Sequence, residues 1–302
     1  MDLRPLTLAE LLDRAFALYR KHLWVFVGIM ALPAVLAVIS SVMLQTPALM
    51  YPVGSRPTPA EALRTIVLIA SGSILVFGLY FIAYAMALGA TAIAVSQMYL
   101  GRDATVGSAY EAVKQRVGRL VLVMVWTLLR IGGACLGVLV LAGGIAAAIG
   151  FALGMPGRLL GALFMIVAML ASVVLMIFMG VRYGVSVPVA VLEQVTAGGA
   201  LRRSVSLTSS NWWRVFLVVL CAMVVTYATA LLLQGPFLLA HAFVGPTTAA
   251  GRILLLTGAV AGAIGSMFTG PIMIIGLVLI YYDLRIRKEA FDLHVMLEAL
   301  DG

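Results

Sequence analysis

The sequence predicts an all-α fold: a polytopic membrane helix bundle with six transmembrane helices and interfacial amphipathic helices. Three observations predict it. Of 302 residues, 63% are hydrophobic and 11% charged, with mean hydropathy +1.13, against about 45–50% apolar and about 25% charged in soluble domains. Apolar runs long enough to cross a bilayer, about 20 residues each, recur along the chain. Lys and Arg crowd into alternate connecting segments. Twenty bases and twelve acids cannot cover the surface of a soluble core this large. A soluble enzyme, a nucleic-acid-binding domain and a disordered tail are thereby excluded, and the net charge of +8 marks a membrane side rather than a nucleic-acid partner.

The elements follow in order. An amphipathic stretch precedes the first apolar run, 23–45, and a Pro-rich loop, 46–64, follows it. The second run, 65–97, leads into a polar stretch, 101–119. Runs 120–153 and 159–192 flank a Gly154-Met-Pro-Gly-Arg158 turn, with Gly143-Gly144 the one other candidate for a reversal. Polar residues 193–214 precede run 215–244, and 245–252 separate it from the last, 253–282. Several runs would reach about 45–50 Å at 1.5 Å per residue. Tilt, or breaks at Pro33, Pro188, Pro236 and Pro271, absorb the excess.

Orientation follows from the bases. Arg4, Arg14, Arg20 and Lys21 precede the first run; Arg102, Lys114, Arg116 and Arg119 follow the second. Arg182, Arg202, Arg203 and Arg214 flank the fourth loop, and Arg285, Arg287 and Lys288 lie in the tail, fifteen in all. The other side holds four: Arg56, Arg64, Arg158 and Arg252. Both termini are therefore expected in the cytoplasm, of a cell's inner (plasma) membrane. Glu10 and Asp13 before a full-length run argue against a cleaved signal peptide. Trp24, Trp212, Trp213, Tyr281 and Tyr282 fit an aromatic belt at the cytoplasmic boundary. Cys135 and Cys221 sit in apolar runs and read as small buried hydrophobes rather than a disulfide pair.

The whole of 1–302 reads as one membrane domain with an internal repeat. Residues 7–24 align without gaps to 196–213, matching Thr7 with Thr196, Leu12 with Leu201, Arg14 with Arg203, Leu18 with Leu207 and Trp24 with Trp213. A weaker copy begins at Thr105. Starts 98 and 91 residues apart suggest parallel units at 6–100, 104–192 and 195–284, each an amphipathic helix plus a two-span hairpin. The plainer alternative is that any amphipathic helix before a span looks alike. In the first copy Leu8, Leu11, Leu12, Ala15, Phe16, Leu18 and Tyr19 share a face opposite Glu10, Asp13, Arg14, Arg20 and Lys21, which suits a helix in the headgroup region. Spacing from Ile286 to Leu300 predicts a further interfacial helix at 285–300. Arg14, Arg20, Lys21, Arg202, Arg203 and Arg214 are the expected contacts to anionic lipid. No acid lies between Glu193 and Asp283 to neutralise Arg202 and Arg203.

The opening Leu6-Thr-Leu-Ala-Glu-Leu-Leu-Asp-Arg-Ala-Phe-Ala-Leu-Tyr-Arg-Lys21 carries a resemblance, as do Pro188-Val-Ala-Val-Leu-Glu193, Ala200-Leu-Arg-Arg-Ser204 and Trp212-Trp-Arg214. The ending Tyr281-Tyr-Asp-Leu-Arg-Ile-Arg-Lys-Glu-Ala-Phe-Asp-Leu293 is its most specific part. These segments resemble prokaryotic proteins labelled "glycerophosphoryl diester phosphodiesterase membrane domain". The resemblance implies a six-span module of unknown activity, fused in some relatives to a phosphodiesterase barrel for which this chain has no room. It therefore implies no reaction.

Catalytic signals are weak. His22, His241 and His294 are far apart, with no acid at the spacing of a ligand set, and no phosphate loop or Gly-x-Ser-x-Gly elbow occurs. The expectation is no enzyme, no metal and no cofactor. Arg130 is the one charge deep in an apolar run. It is either an intramembrane functional charge, facing a carbonyl, a lipid phosphate or an anionic substrate, or a side chain that snorkels to the interface. Gly258, Gly262, Ser266 and Gly270 form a small-residue ladder, and Gly133 with Gly137 a shorter one, for packing within the chain or between copies. Gln234-Gly-Pro236 and Thr269-Gly-Pro271 are candidate helix breaks. The leading expectation is a non-enzymatic module that binds lipids, anionic ones foremost, and a membrane-protein partner or second copy. A transporter component comes next and a lipid-modifying enzyme third. A water-accessible central cavity reaching Arg130 favours transport; a solid core of Gly and Ala favours the module.

Overall fold

The computed structural model describes residues 7–50, 58–193, 195–245 and 248–289. Among these there is no strand. The helices are α1 (Leu8–Lys21), α2 (Leu23–Met50), α3 (Pro59–Tyr99), α4 (Val106–Lys114), α5 (Val117–Tyr183), α6 (Ser186–Leu192), α7 (Ala197–Thr208), α8 (Trp212–Val244) and α9 (Ala249–Glu289). Five stretches are long and apolar enough to cross a membrane: Leu23–Leu44, Pro59–Tyr99, Val117–Leu192, Trp212–Val244 and Ala249–Glu289. Their outward faces carry large apolar residues such as Ile74, Leu141, Phe151 and Leu232. An exposed apolar surface on this scale is that of a multi-pass membrane protein.

The third stretch is long because α5 doubles back on itself. Gly154 has φ 62° and ψ −133°, a conformation only glycine adopts without strain. Pro156 follows it. Beyond the turn, Cys135 lies beside Ser172, whose carbonyl accepts the thiol at 3.5 Å. Along one straight helix these residues, 37 apart, would be separated by about 55 Å. A Cβ on Gly157 would stand 2.2 Å from the carbonyl oxygen of Ile149, so glycine alone permits the arms to meet there. The arms, 117–153 and 155–183, bury only small residues against each other over their outer length: Ala142, Gly157, Gly161, Ala168 and Ser172. Gly143-Gly144 lies inside continuous helix.

The core sits where the second half of α3, α6 and the second half of α9 converge. Residues 274–284 of α9 are all buried, as are Ala85, Ala87, Ala90, Ala92 and Ala94 of α3. Alanines let the helix axes approach closely, so this centre is packed solid. Helices α8 and α9 run through Pro236 and Pro271 without interruption. Pro188 instead lies in α6, just past the end of α5. The prolines at 236 and 271 are therefore not helix breaks.

Three short helices ring this core, each opened by a threonine. The hydroxyls of Thr7, Thr105 and Thr196 accept from the backbone N–H of Glu10, Ser108 and Gly199, at 3.3, 3.2 and 3.2 Å, the ordinary N-cap bond. Four residues past each cap lie Leu11, Ala109 and Ala200; eight past lie Ala15, Val113 and Ser204; all six are buried. Each helix docks on a long one: the Tyr19 hydroxyl of α1 donates to Phe268 O of α9, and Tyr110 of α4 to Ile29 O of α2, both at 2.6 Å. Ser204 of α7 donates to Arg182 O at the end of α5, at 2.8 Å. The expectation that the apolar face of α1 lies in lipid is thereby corrected. Leu8, Leu11, Ala15, Leu18 and Tyr19 pack on the core, because α9 offers apolar surface at that level; Phe16 stays exposed.

The bond from Tyr110 has a cause in the sequence. Pro33 has no N–H to give the Ile29 carbonyl four residues earlier, and Ile29 is fully buried. The Tyr110 hydroxyl fills that vacancy. Removing it in Tyr110→Phe orphans a buried carbonyl and should cost about 1–3 kcal/mol, read from denaturant unfolding in micelles. A loss under about 0.5 kcal/mol, the range of neutral surface changes, would contradict this role.

The interfacial helix expected at 285–300 is not separate where it is described, since 285–289 continue α9. Its remainder lies outside the described residues.

Candidate functional site

The bases expected at the membrane surface divide into two groups. Arg20 and Lys21 on α1 and Arg202 on α7 are exposed and have no carboxylate partner among the described residues. Arg14 is half-buried beside Met98 and Tyr99. Arg203 and Arg214 are different, and the expectation that nothing neutralises Arg203 is corrected. Arg203 pairs with Glu193 at 3.1 Å and with Glu289 at 2.5 Å. Glu289 foremost, then Glu193, raise its pKa above the ordinary range. Arg214 pairs at 3.1 Å with Asp283, whose side chain is fully buried and also holds Arg287 at 3.0 Å. Two of the six expected lipid contacts thus serve the protein's own interior.

These pairs form a closed network at the end of the core. Glu193 accepts from Tyr281 at 2.9 Å and from Arg203; Arg203 reaches Glu289, and Glu289 holds Arg285 at 3.2 Å. Arg285 donates back to Tyr281 at 3.2 Å. Beside it, the Tyr282 and Ser96 hydroxyls share a 2.7 Å bond. Tyr281 and Tyr282 are therefore core residues and not part of an exposed belt, whereas Trp24 and Trp213 are largely exposed. The arginines occupy these carboxylates, which leaves none placed as a free acid–base pair. Among the described residues no group of three or more His, Cys, Asp or Glu is close enough to hold a metal ion.

A second feature lies between the α5 arms and the α3–α9 pair: a cavity of about 480 Å³ lined by Tyr84, Thr127, Leu128, Met176, Tyr183 and Ser186 among others. Its wall is mostly apolar, and its volume is that of a small-ligand site. Leu128 and Met176 at its margin are 63% and 50% exposed, so it opens sideways, where lipid would lie.

Arg130 does not itself line this cavity; it stands beside Tyr183, which does. Its guanidinium lies 6.0 Å from the Trp126 ring centre and 5.9 Å from that of Tyr183, within cation–π reach. Its side chain leans back a turn toward the start of α5, as helical side chains do. From Arg130 to Gly154 runs about 24 residues, roughly 36 Å, more than the ~30 Å hydrocarbon thickness.

The glycine ladder is spent inside the chain. A Cβ on Gly258 would meet Phe237 at 3.2 Å, and one on Gly262 would meet Gln234 at 3.2 Å, both on α8. Gly270 faces Met30 of α2, and the Ser266 hydroxyl donates to Ala263 O at 2.7 Å. Gly133 and Gly137 meet nothing within 4 Å.

Compared with family models, with curated proteins and with solved structures, the chain matches none.

Proposed function

We propose that this chain is a lipid-binding membrane module without catalytic activity, embedded in the plasma membrane of a prokaryotic cell. It crosses six times, with both termini in the cytoplasm, since the α5 stretch contributes two crossings joined at Gly154. It is built of three like units, α1–α3, α4–α6 and α7–α9. Support for the units comes from the shared caps and buried positions of α1, α4 and α7, and from their cyclic docking. Each packs on the last long helix of the unit before it: α4 on α3, α7 on α5, and α1 on α9. Membership of the membrane-domain family named above belongs to this same proposal.

The observation that carries the lipid reading is the set of exposed bases with no carboxylate partner among the described residues. Arg20, Lys21 and Arg202 stay exposed beside Trp24 and Trp213, while the neighbouring arginines are neutralised internally. Unpaired bases at an anionic surface contribute about 1 kcal/mol each. The cavity beside Arg130 is mostly apolar and opens to the side of the bundle, which favours this reading over a transporter. Should a second copy bind, the Gly133–Gly137 strip is the surface left open for it.

Replacing Arg20, Lys21 and Arg202 together by Gln should strip phosphatidylglycerol or cardiolipin from the purified protein, as counted by mass spectrometry. The unfolding midpoint should stay within about 0.5 kcal/mol of wild type, as for exposed substitutions. Equal anionic lipid in both proteins would reduce these bases to markers of the membrane side.

A further inference from the structure

We infer that the cavity beside Arg130 binds one anionic glycerophospholipid, with its phosphate on Arg130 and one acyl chain inside. This rests on the lipid-binding reading and gives it a specific site, apart from the exposed bases of α1 and α7.

Three features of the cavity point to that occupant. Arg130 has no carboxylate or carbonyl partner among the described residues; its guanidinium stands over two ring faces. A guanidinium offers five donors in a plane that matches phosphate, and a ring face beside it accepts none of them as a carboxylate would. The cavity beside it is mostly apolar and opens sideways, so a chain can enter from the bilayer without passing through water. Its wall also carries hydroxyls. Ser186 lines the cavity and makes no side-chain hydrogen bond to a protein group among the described residues. Tyr84 and Tyr183 line it too. These hydroxyls are donors, and ester carbonyls next to a lipid phosphate are acceptors of the right kind.

The energetics decide what the site selects. An acyl chain moving from bilayer to apolar cavity gains little, because lipid tails are as apolar as the lining. The headgroup therefore sets the preference. A single base near anionic charge corresponds to roughly fivefold in affinity.

The test is native mass spectrometry of the full-length protein in detergent, titrated with phosphatidylglycerol or phosphatidylethanolamine. Wild type should form a one-to-one adduct, favouring phosphatidylglycerol roughly fivefold. Arg130→Gln should abolish the preference, and Arg130→Lys should restore part of it. Gly180→Leu tests the cavity itself. A Cβ at Gly180 meets nothing within 4 Å, and the residue lines the cavity, so the leucine fills it without a clash. Leucine is also the better helix former, so folding should survive while the adduct with either lipid is lost. An adduct that survives Gly180→Leu, or a preference that survives Arg130→Gln, overturns the proposal. The Arg20, Lys21 and Arg202 variant should keep this adduct while losing bulk anionic lipid, so the two readings fail separately.

Discussion

Asp283→Ala should destabilise the protein by about 3 kcal/mol, the lower end for breaking a buried ion pair. Asp283 is 1% exposed overall, and its carboxylate serves Arg214 of α8 and Arg287 of α9 at once. Taking the carboxylate away leaves two guanidiniums side by side, in a position built for opposite charge. The lower end applies because both arginine side chains are partly exposed, at 24% and 29%, and water can reach them. Arg287→Gln should cost only about 1 kcal/mol, as for a partly solvated pair, because Arg214 still neutralises the acid. Trp212 and Trp213, stacked on Phe216 at 5.3 and 5.0 Å, immediately precede Arg214 in α8 and make intrinsic fluorescence a convenient readout. Equal losses for Asp283→Ala and Arg287→Gln would contradict a shared, buried carboxylate.

The network around Asp283 also shows where a sequence is readable and where it is not. Local chemistry was legible. Thr7, Thr105 and Thr196 were legible as the matching starts of three like segments, and the structure adds that each is an N-cap, a bond that needs only a donor three residues on. The Gly154-Met-Pro-Gly-Arg158 turn needs only glycine's freedom and proline's missing N–H. Partners distant along the chain were not legible. Arg214 meets Asp283 across 69 positions, and nothing in the spacing of either marks the other. Glu193 and Asp283 bound the long acid-free stretch, and the boundary itself held the clue, since both acids turn inward onto bases. Tyr281 and Tyr282 misled for a physical reason: an apolar ring with a polar tip suits a headgroup layer and a polar core network equally. The cavity depends on how the α5 arms stand away from α3 and α9, which no local pattern encodes.

Six crossings require that α5 cross twice. If it does, Gly154 and the start of the protein lie on opposite sides of the membrane, as the bias of fifteen bases to four also requires. The two arms of about 30–37 residues are each long enough to cross, since about 20 suffice, and nothing but the Gly154 turn joins them. Met155, beside that turn, is 68% exposed, and Arg202 is exposed on α7. Ser204 makes a poor reporter because it is fully buried against Arg182. The decisive measurement places single cysteines at Met155 and Arg202, with Cys135 and Cys221 replaced by alanine, and applies a membrane-impermeant maleimide to intact cells. Met155→Cys should label at once and Arg202→Cys only after lysis. Protection of Met155→Cys in intact cells, or labelling of Arg202→Cys there, would contradict the six-crossing arrangement.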